Sequence, residues 1–241
     1  MTVPVHAKLA HVRRAAALLA LALAGCSLSP PADEPTAPSL RAERIAPPRE
    51  VFHEDRPYRL QNSMRGLRLA ARTATWIDID SNYCWDAARR HRVPIATHWP
   101  YVYRERFNDP LGLISPDAAF ADLTLPEVRR LRSGDPVPYR ISTMVEMVRM
   151  AARVGLTGIE WEVKGGAAFE RPGTYSRVLD AANEVGIAIN VKTLAHIGGR
   201  DAALRRLRAA KRAGAVTMLL GRGDRPPRIT DSQSRYIDFV R

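Results

Sequence analysis

The chain has 241 residues, 46% of them hydrophobic and 26% charged, with a formal net charge of +12. Its two cysteines, Cys26 and Cys84, exclude a disulfide-stapled scaffold, so a fold must be stabilised by its core. A positive charge of this size first suggests nucleic acid, and the N-terminal segment argues against that partner.

In that segment Lys8, Arg13 and Arg14 precede Ala15–Ala24, an apolar run too short to span a bilayer. "LAGC" follows at Leu23–Cys26 and resembles the bacterial lipobox. The resemblance implies cleavage before Cys26 and diacylation of its thiol. Residues 1–25 are then a signal peptide, and the mature chain is expected to be a lipid-anchored protein of the bacterial envelope. An ordinary signal peptide with an incidental cysteine is the alternative. Removing Lys8, Arg13 and Arg14 leaves a charge of about +9. An exported chain rarely meets nucleic acid, and none is expected as a partner. Anionic lipid headgroups or phosphorylated wall polymers fit the location, and so does a basic composition with no partner behind it. Cys84, left alone, reads as a small buried hydrophobe. Residues 26–50 are rich in Pro, Ala and charge and read as an extended tether. Residues 51–241 suffice for one domain with a sizeable core.

Within that domain short apolar runs alternate with helical patterns. The expected strands are "EVFH" (Glu50–His53), "TWIDID" (Thr75–Asp80), "VPIATH" (Val93–His98), "GIEWEVK" (Gly158–Lys164), "GIAINVKT" (Gly186–Thr193), "AVTMLLG" (Ala215–Gly221) and "YIDFV" (Tyr236–Val240). Helical spacing marks Asn62–Arg72, Ser142–Val154 with Ser142 as N-cap, Thr174–Val185, and Asp201–Gly214. Such alternation predicts a parallel sheet with helices outside. His53, Asp80, His98 and the Glu162–Lys164 pair each stand at a strand's end, which favours a (β/α)8 barrel over a doubly wound sheet. With seven expected strands and 77 residues after Lys164, the barrel's C-terminal half is expected to be compressed or incomplete.

"TWIDID" poses a question of charge. In a strand Asp78 and Asp80 share one face and repel each other, so they either meet solvent at an edge or face a cation.

The order His53, Asp-x-Asp, His98, Glu-x-Lys resembles the glycerophosphodiester phosphodiesterase family, as "FHE", "QNS", "DID", "THWP" and "EVK" stand here for the family's motifs. "ADLTLPEVRRLRSGDPVPYRISTMVEMV" adds to the likeness, which runs from about Val51 to Gly165. The resemblance implies a barrel in which Asp78, Asp80 and Glu162 form a three-carboxylate site. Oxygen-only ligands suit Ca²⁺ or Mg²⁺. His53 and His98 are then the general base and general acid, and Lys164 neutralises the phosphate. The implied reaction is attack by a neighbouring hydroxyl on phosphorus, followed by hydrolysis of a cyclic phosphate. The substrate is a small or polymeric glycerophosphodiester, and the membrane is met through the lipid anchor.

The sequence departs from the family at Glu54, where the family has Arg, at Gln61, where it has Glu, at Asp78, a shortened Glu, and at Trp99, where it has Asp. These changes leave open an altered substrate, a phosphatidylinositol-type phospholipase, or a catalytically silent domain that binds lipid or wall polymer. Trp85, Trp99, Trp161 and Tyr101 read as packing and pocket wall.

Overall fold

A computed structural model describes residues 62–133, 138–221, 227–228 and 230–240. The leader, the tether, Cys26, the expected strand Glu50–His53, and Glu54 and Gln61 lie outside the described residues. No helix among the described residues is long and apolar enough to cross a membrane.

Helix α1 (Met64–Ala70) starts at Ser63, whose hydroxyl accepts the Gly66 N–H at 2.9 Å. Strand β1 (Trp76–Trp85) runs five residues beyond Asp80 because its second half pairs with β2 (Arg92–Ala96). A three-stranded sheet then forms from β3 (Phe107–Asn108), β4 (Arg132–Ser133) and β5 (Tyr139–Arg140), with a 3-10 turn at Phe120–Asp122 and helix α2 (Leu125–Arg130) between. Helix α3 (Met144–Arg153) follows, then β6 (Gly158–Val163), a 3-10 turn at Ala167–Glu170, α4 (Gly173–Val185) and β7 (Ala188–Leu194). The chain continues through α5 (Arg200–Arg212), β8 (Val216–Leu220), α6 (Asp231–Ser234) and β9 (Phe239–Val240).

The main sheet has the order β2-β1-β6-β7-β8-β9 and is parallel except for β2. It is a mixed α/β fold. Among the described residues the sheet does not close into the expected barrel, since β2 and β9 are its two edges. The expected parallel strand at Val93–His98 is corrected. The link from Trp85 to Arg92 is a short turn, and a parallel crossover needs a dozen residues or more, so β2 must return antiparallel. Two boundaries also shift. The N-cap of α3 is Thr143 rather than Ser142, because Thr143 and Glu146 form a reciprocal capping box. Asp78 and Asp80 lie mid-strand, although they close the parallel part of β1, which ends at Ser81 opposite Val163.

The period-2 pattern sorts the sheet's two faces. Ile77, Ile79, Ile159, Trp161, Val163, Ile189 and Val191 pack with Met144, Met147, Val148, Tyr175 and Val178 of α3 and α4. Burying each large side chain contributes about 1.5–3 kcal/mol. Trp161 is fully buried and satisfies its indole N–H on Ser81 Oγ at 2.6 Å. At the strand entrance only glycine fits beside Trp76, since a Cβ at Gly158 would stand 2.2 Å from the indole ring. The other face carries Asp78, Asp80, Glu160, Glu162, Asn190 and Lys192, in register across β1, β6 and β7. Cys84 is buried, unpaired with any other cysteine, and part of a second core cluster with Ile95, Phe107 and Phe120.

Candidate active site

The polar face is nearly as dry as the apolar one. Asp80, Glu160, Glu162 and Lys192 are each 5% exposed or less, so their charges must be met inside the protein. Lys192 Nζ stands among three acids, 2.5 Å from Asp78 Oδ2, 3.4 Å from Glu162 Oε2 and 3.5 Å from Glu160 Oε2. Lys164 Nζ bridges Asp80 Oδ1 at 2.7 Å and Glu162 Oε1. Burial alone would lower both lysine pKa values. Asp78 and Glu162 outweigh it at Lys192, as Asp80 and Glu162 do at Lys164, and both values are raised. The repulsion within "DID" is therefore relieved by Lys164, just past the end of β6, and by Lys192 on β7, a source of cation that needs no metal.

Asp80 is the most heavily used group. Its backbone N–H donates to Asn62 Oδ1 at 2.8 Å, and Asn62 Nδ2 donates to its Oδ2 at 3.2 Å. His98 Nδ1 lies 2.9 Å from the same Oδ2. Burial would raise the Asp80 pKa, but the His98 hydrogen bond and the Lys164 charge outweigh it and hold the carboxyl well below the usual range. An ionised Asp80 only accepts, so this contact assigns the proton of a neutral His98 to Nδ1 and leaves a lone pair on Nε2. His98 reaches this position because β2 returns antiparallel and ends beside Ser81. Asn82 fixes the bend that follows, donating to the carbonyls of Thr97 and Trp99 at 3.0 Å each.

Asp78, Asp80 and Glu162 each offer an oxygen, and these oxygens lie within 4.8 Å of one another. Oxygens at about 2.3–2.6 Å from one Ca²⁺ can stand up to roughly 5 Å apart, so the spacing of the donor set is compatible with one such ion.

A cavity of about 600 Å³ opens beside the cluster, lined by His98 and Lys164 on the cluster's side. Trp99, Tyr101 and Tyr103 form one wall in edge-to-face contact, with centroids 5.7 Å apart for Trp99–Tyr103 and 6.0 Å for Tyr101–Tyr103. Thus Trp99 and Tyr101 are wall residues, while Trp161 belongs to the core and Trp85 stacks under the Arg92 guanidinium.

No protein-family model matches the chain, and no curated protein matches it. Among solved structures it is similar to a glycerophosphodiester phosphodiesterase from Parabacteroides distasonis. The two are 15% identical with a TM-score of 0.46, over 66% of this chain and 58% of that one. It is also similar to an Agrobacterium tumefaciens protein provisionally assigned as a glycerophosphoryl diester phosphodiesterase. There the identity is 11% and the TM-score 0.33, over 73% of this chain and 84% of that one. The chain thus spans little more than half the length of the Parabacteroides structure.

Five expected site residues, Asp78, Asp80, His98, Glu162 and Lys164, come together in one cluster. His53 and Cys26, the expected acylation site, lie outside the described residues. The sequence reading missed Lys192, Glu160 and Asn82, and gave Asn62 no role. Lys192 had a readable signal. In "AINVKT" the polar Asn190 and Lys192 alternate with Ile189 and Val191, the same period-2 mark that singled out Asp78 and Asp80.

Proposed function

We propose that the chain is a divalent-cation-dependent phosphoric diester hydrolase acting on glycerophosphodiesters. The observation that carries the reading is Asp80, which belongs to the three-carboxylate group while holding both His98 and Lys164. Bound Ca²⁺ or Mg²⁺ would polarise a phosphoryl oxygen. Lys164 neutralises the phosphate as a point charge, and His98 exchanges a proton at Nε2 with the attacking or leaving oxygen. His53 is the second proton-transfer group in this reading. The architecture it implies is a partial barrel of the glycerophosphodiester phosphodiesterase type, anchored in the bacterial envelope through Cys26.

The test is hydrolysis of glycerophosphoglycerol by the protein with Ca²⁺, Mg²⁺ or EDTA, beside Asp80→Ala. Turnover that needs the cation and disappears in the variant supports the reading, and cleavage of phosphatidylinositol in its place would move the assignment to a phospholipase. One observation favours a second reading, a catalytically silent domain that binds lipid or wall polymer. Lys164 and Lys192 already engage all four carboxylates of the cluster. Absence of both turnover and calorimetric Ca²⁺ or Mg²⁺ binding would decide for it.

A further inference from the structure

Arg206 lies on α5 and is 2% exposed, although arginine rarely leaves water without a counter-charge. Its Nη2 donates to the Ile197 carbonyl at 2.6 Å and to Thr193 Oγ1 at 3.2 Å, both neutral acceptors. Nε has no hydrogen-bond partner among the described residues. None of the described carboxylates forms an ion pair with the guanidinium. Glu170, the acid that acts on it electrostatically, is committed to Arg205 at 2.8 Å. Burial lowers the Arg206 pKa and outweighs the pull of Tyr175 and Glu170. A dry cation in this condition is costly until an anion arrives.

Arg206 is not part of the cavity wall described above but stands close behind it. Arg206 Nη1 is 3.5 Å from where a Cβ at Gly198 would stand and 4.0 Å from one at Gly165. Neither position carries a side chain, and Ile197 Cγ2 lies 3.8 Å from the same Gly165 point. Gly165 and Ile197 line the cavity described above, together with the exposed His196. None of the described residues lining that cavity is acidic.

We propose that this end of the cavity is a subsite for a second phosphate, carried on the alcohol arm of the substrate. Arg206 supplies its charge from behind the wall at Gly165, and His196 the direct flanking contact. The substrate class is then a phosphodiester whose alcohol bears a further phosphate, either a repeating polyol-phosphate polymer or a phosphorylated small alcohol. A cationic arm such as choline is disfavoured by the same charges. The inference deepens the phosphodiesterase reading and rests on it.

Two measurements separate the subsite from that reading. With EDTA present, inorganic phosphate is titrated into the full chain by calorimetry. The parent and Lys164→Gln should bind it, Arg206→Gln should lose at least tenfold in affinity, and the exposed-site variant His196→Ala should lose less. Binding by Arg206→Gln equal to the parent's, or no binding by the parent, overturns the subsite. If Arg206→Gln does not fold by circular dichroism, His196→Ala decides, and unchanged binding there overturns it. In the second measurement kcat/KM is compared for glycerophosphoglycerol with and without a terminal phosphate. The parent should favour the phosphorylated form at least tenfold, and the ratio should fall toward one in Arg206→Gln. Equal turnover of both by the parent overturns the subsite and leaves the hydrolase standing. Phosphate binding without turnover of either does the reverse. A chain-length series of polyol phosphates then distinguishes polymer from small alcohol.

Discussion

Asp80 and His98 stand 18 positions apart in sequence and 2.9 Å apart in space, joined by Oδ2 and Nδ1. If that contact sets the proton position on the imidazole, Asp80→Asn and His98→Asn should each lower kcat/KM for glycerophosphoglycerol by about 10²–10⁴-fold. The double variant should lose little more than either single one, because the two act as a unit. Losses that multiply would show that the residues act independently.

Lys192 is the sole ammonium among the described contacts of Asp78 and Glu160. Lys192→Met should destabilise the protein by about 3–5 kcal/mol, since it removes the buried ammonium that Asp78, Glu160 and Glu162 share. Ca²⁺ should recover part of that loss and raise the variant's melting temperature more than the parent's. Equal Ca²⁺ shifts in thermal melts would argue against shared use of the acids by lysine and cation.

Asp238 ties the last strand to β8. Its carboxylate accepts from Lys211, from the Thr217 N–H at 2.8 Å and from Thr217 Oγ1 at 3.0 Å. Burial would raise its pKa, but these contacts outweigh burial and lower it. A lowered carboxylate pKa contributes stability that is present above the unfolded value and lost as pH falls through the folded one. Asp238→Asn should therefore be less stable than the parent at neutral pH, and the gap should close in acid. Urea titrations across a pH series measure it.

The Cys84 thiol is fully buried, and burial pushes its pKa up to about 12 despite the nearby Arg92 and Arg129. In native protein at pH 8 iodoacetamide should modify Cys84 far more slowly than in denaturant, as read by peptide mass spectrometry. Rapid native labelling would contradict this packing.

Residues that share one strand, or stand just past its end, were legible in the sequence. Asp78 with Asp80, and Glu162 with Lys164, announce themselves by interrupting apolar runs at period 2. What escaped depends on relations between strands. Lys192 reaches Asp78 across 114 positions, and only the parallel order β1-β6-β7 brings them together. The direction of β2 was misread because Val93–His98 is as apolar as a parallel strand; the shortness of the turn before it was the better guide. The small sheet β3-β4-β5 was invisible, since two-residue strands carry no periodicity.

The hairpin of β1 and β2 also bears on how the site comes into being during folding. Its histidine–carboxylate contact closes a short loop, whereas the lysine–carboxylate contacts of β7 must wait for two helical crossovers, through α3 and α4. Closing long loops costs more chain entropy and comes later. A nascent chain would thus form its Asp80–His98 contact first, gain Lys164 as β6 docks, and bring Lys192 to Asp78 last.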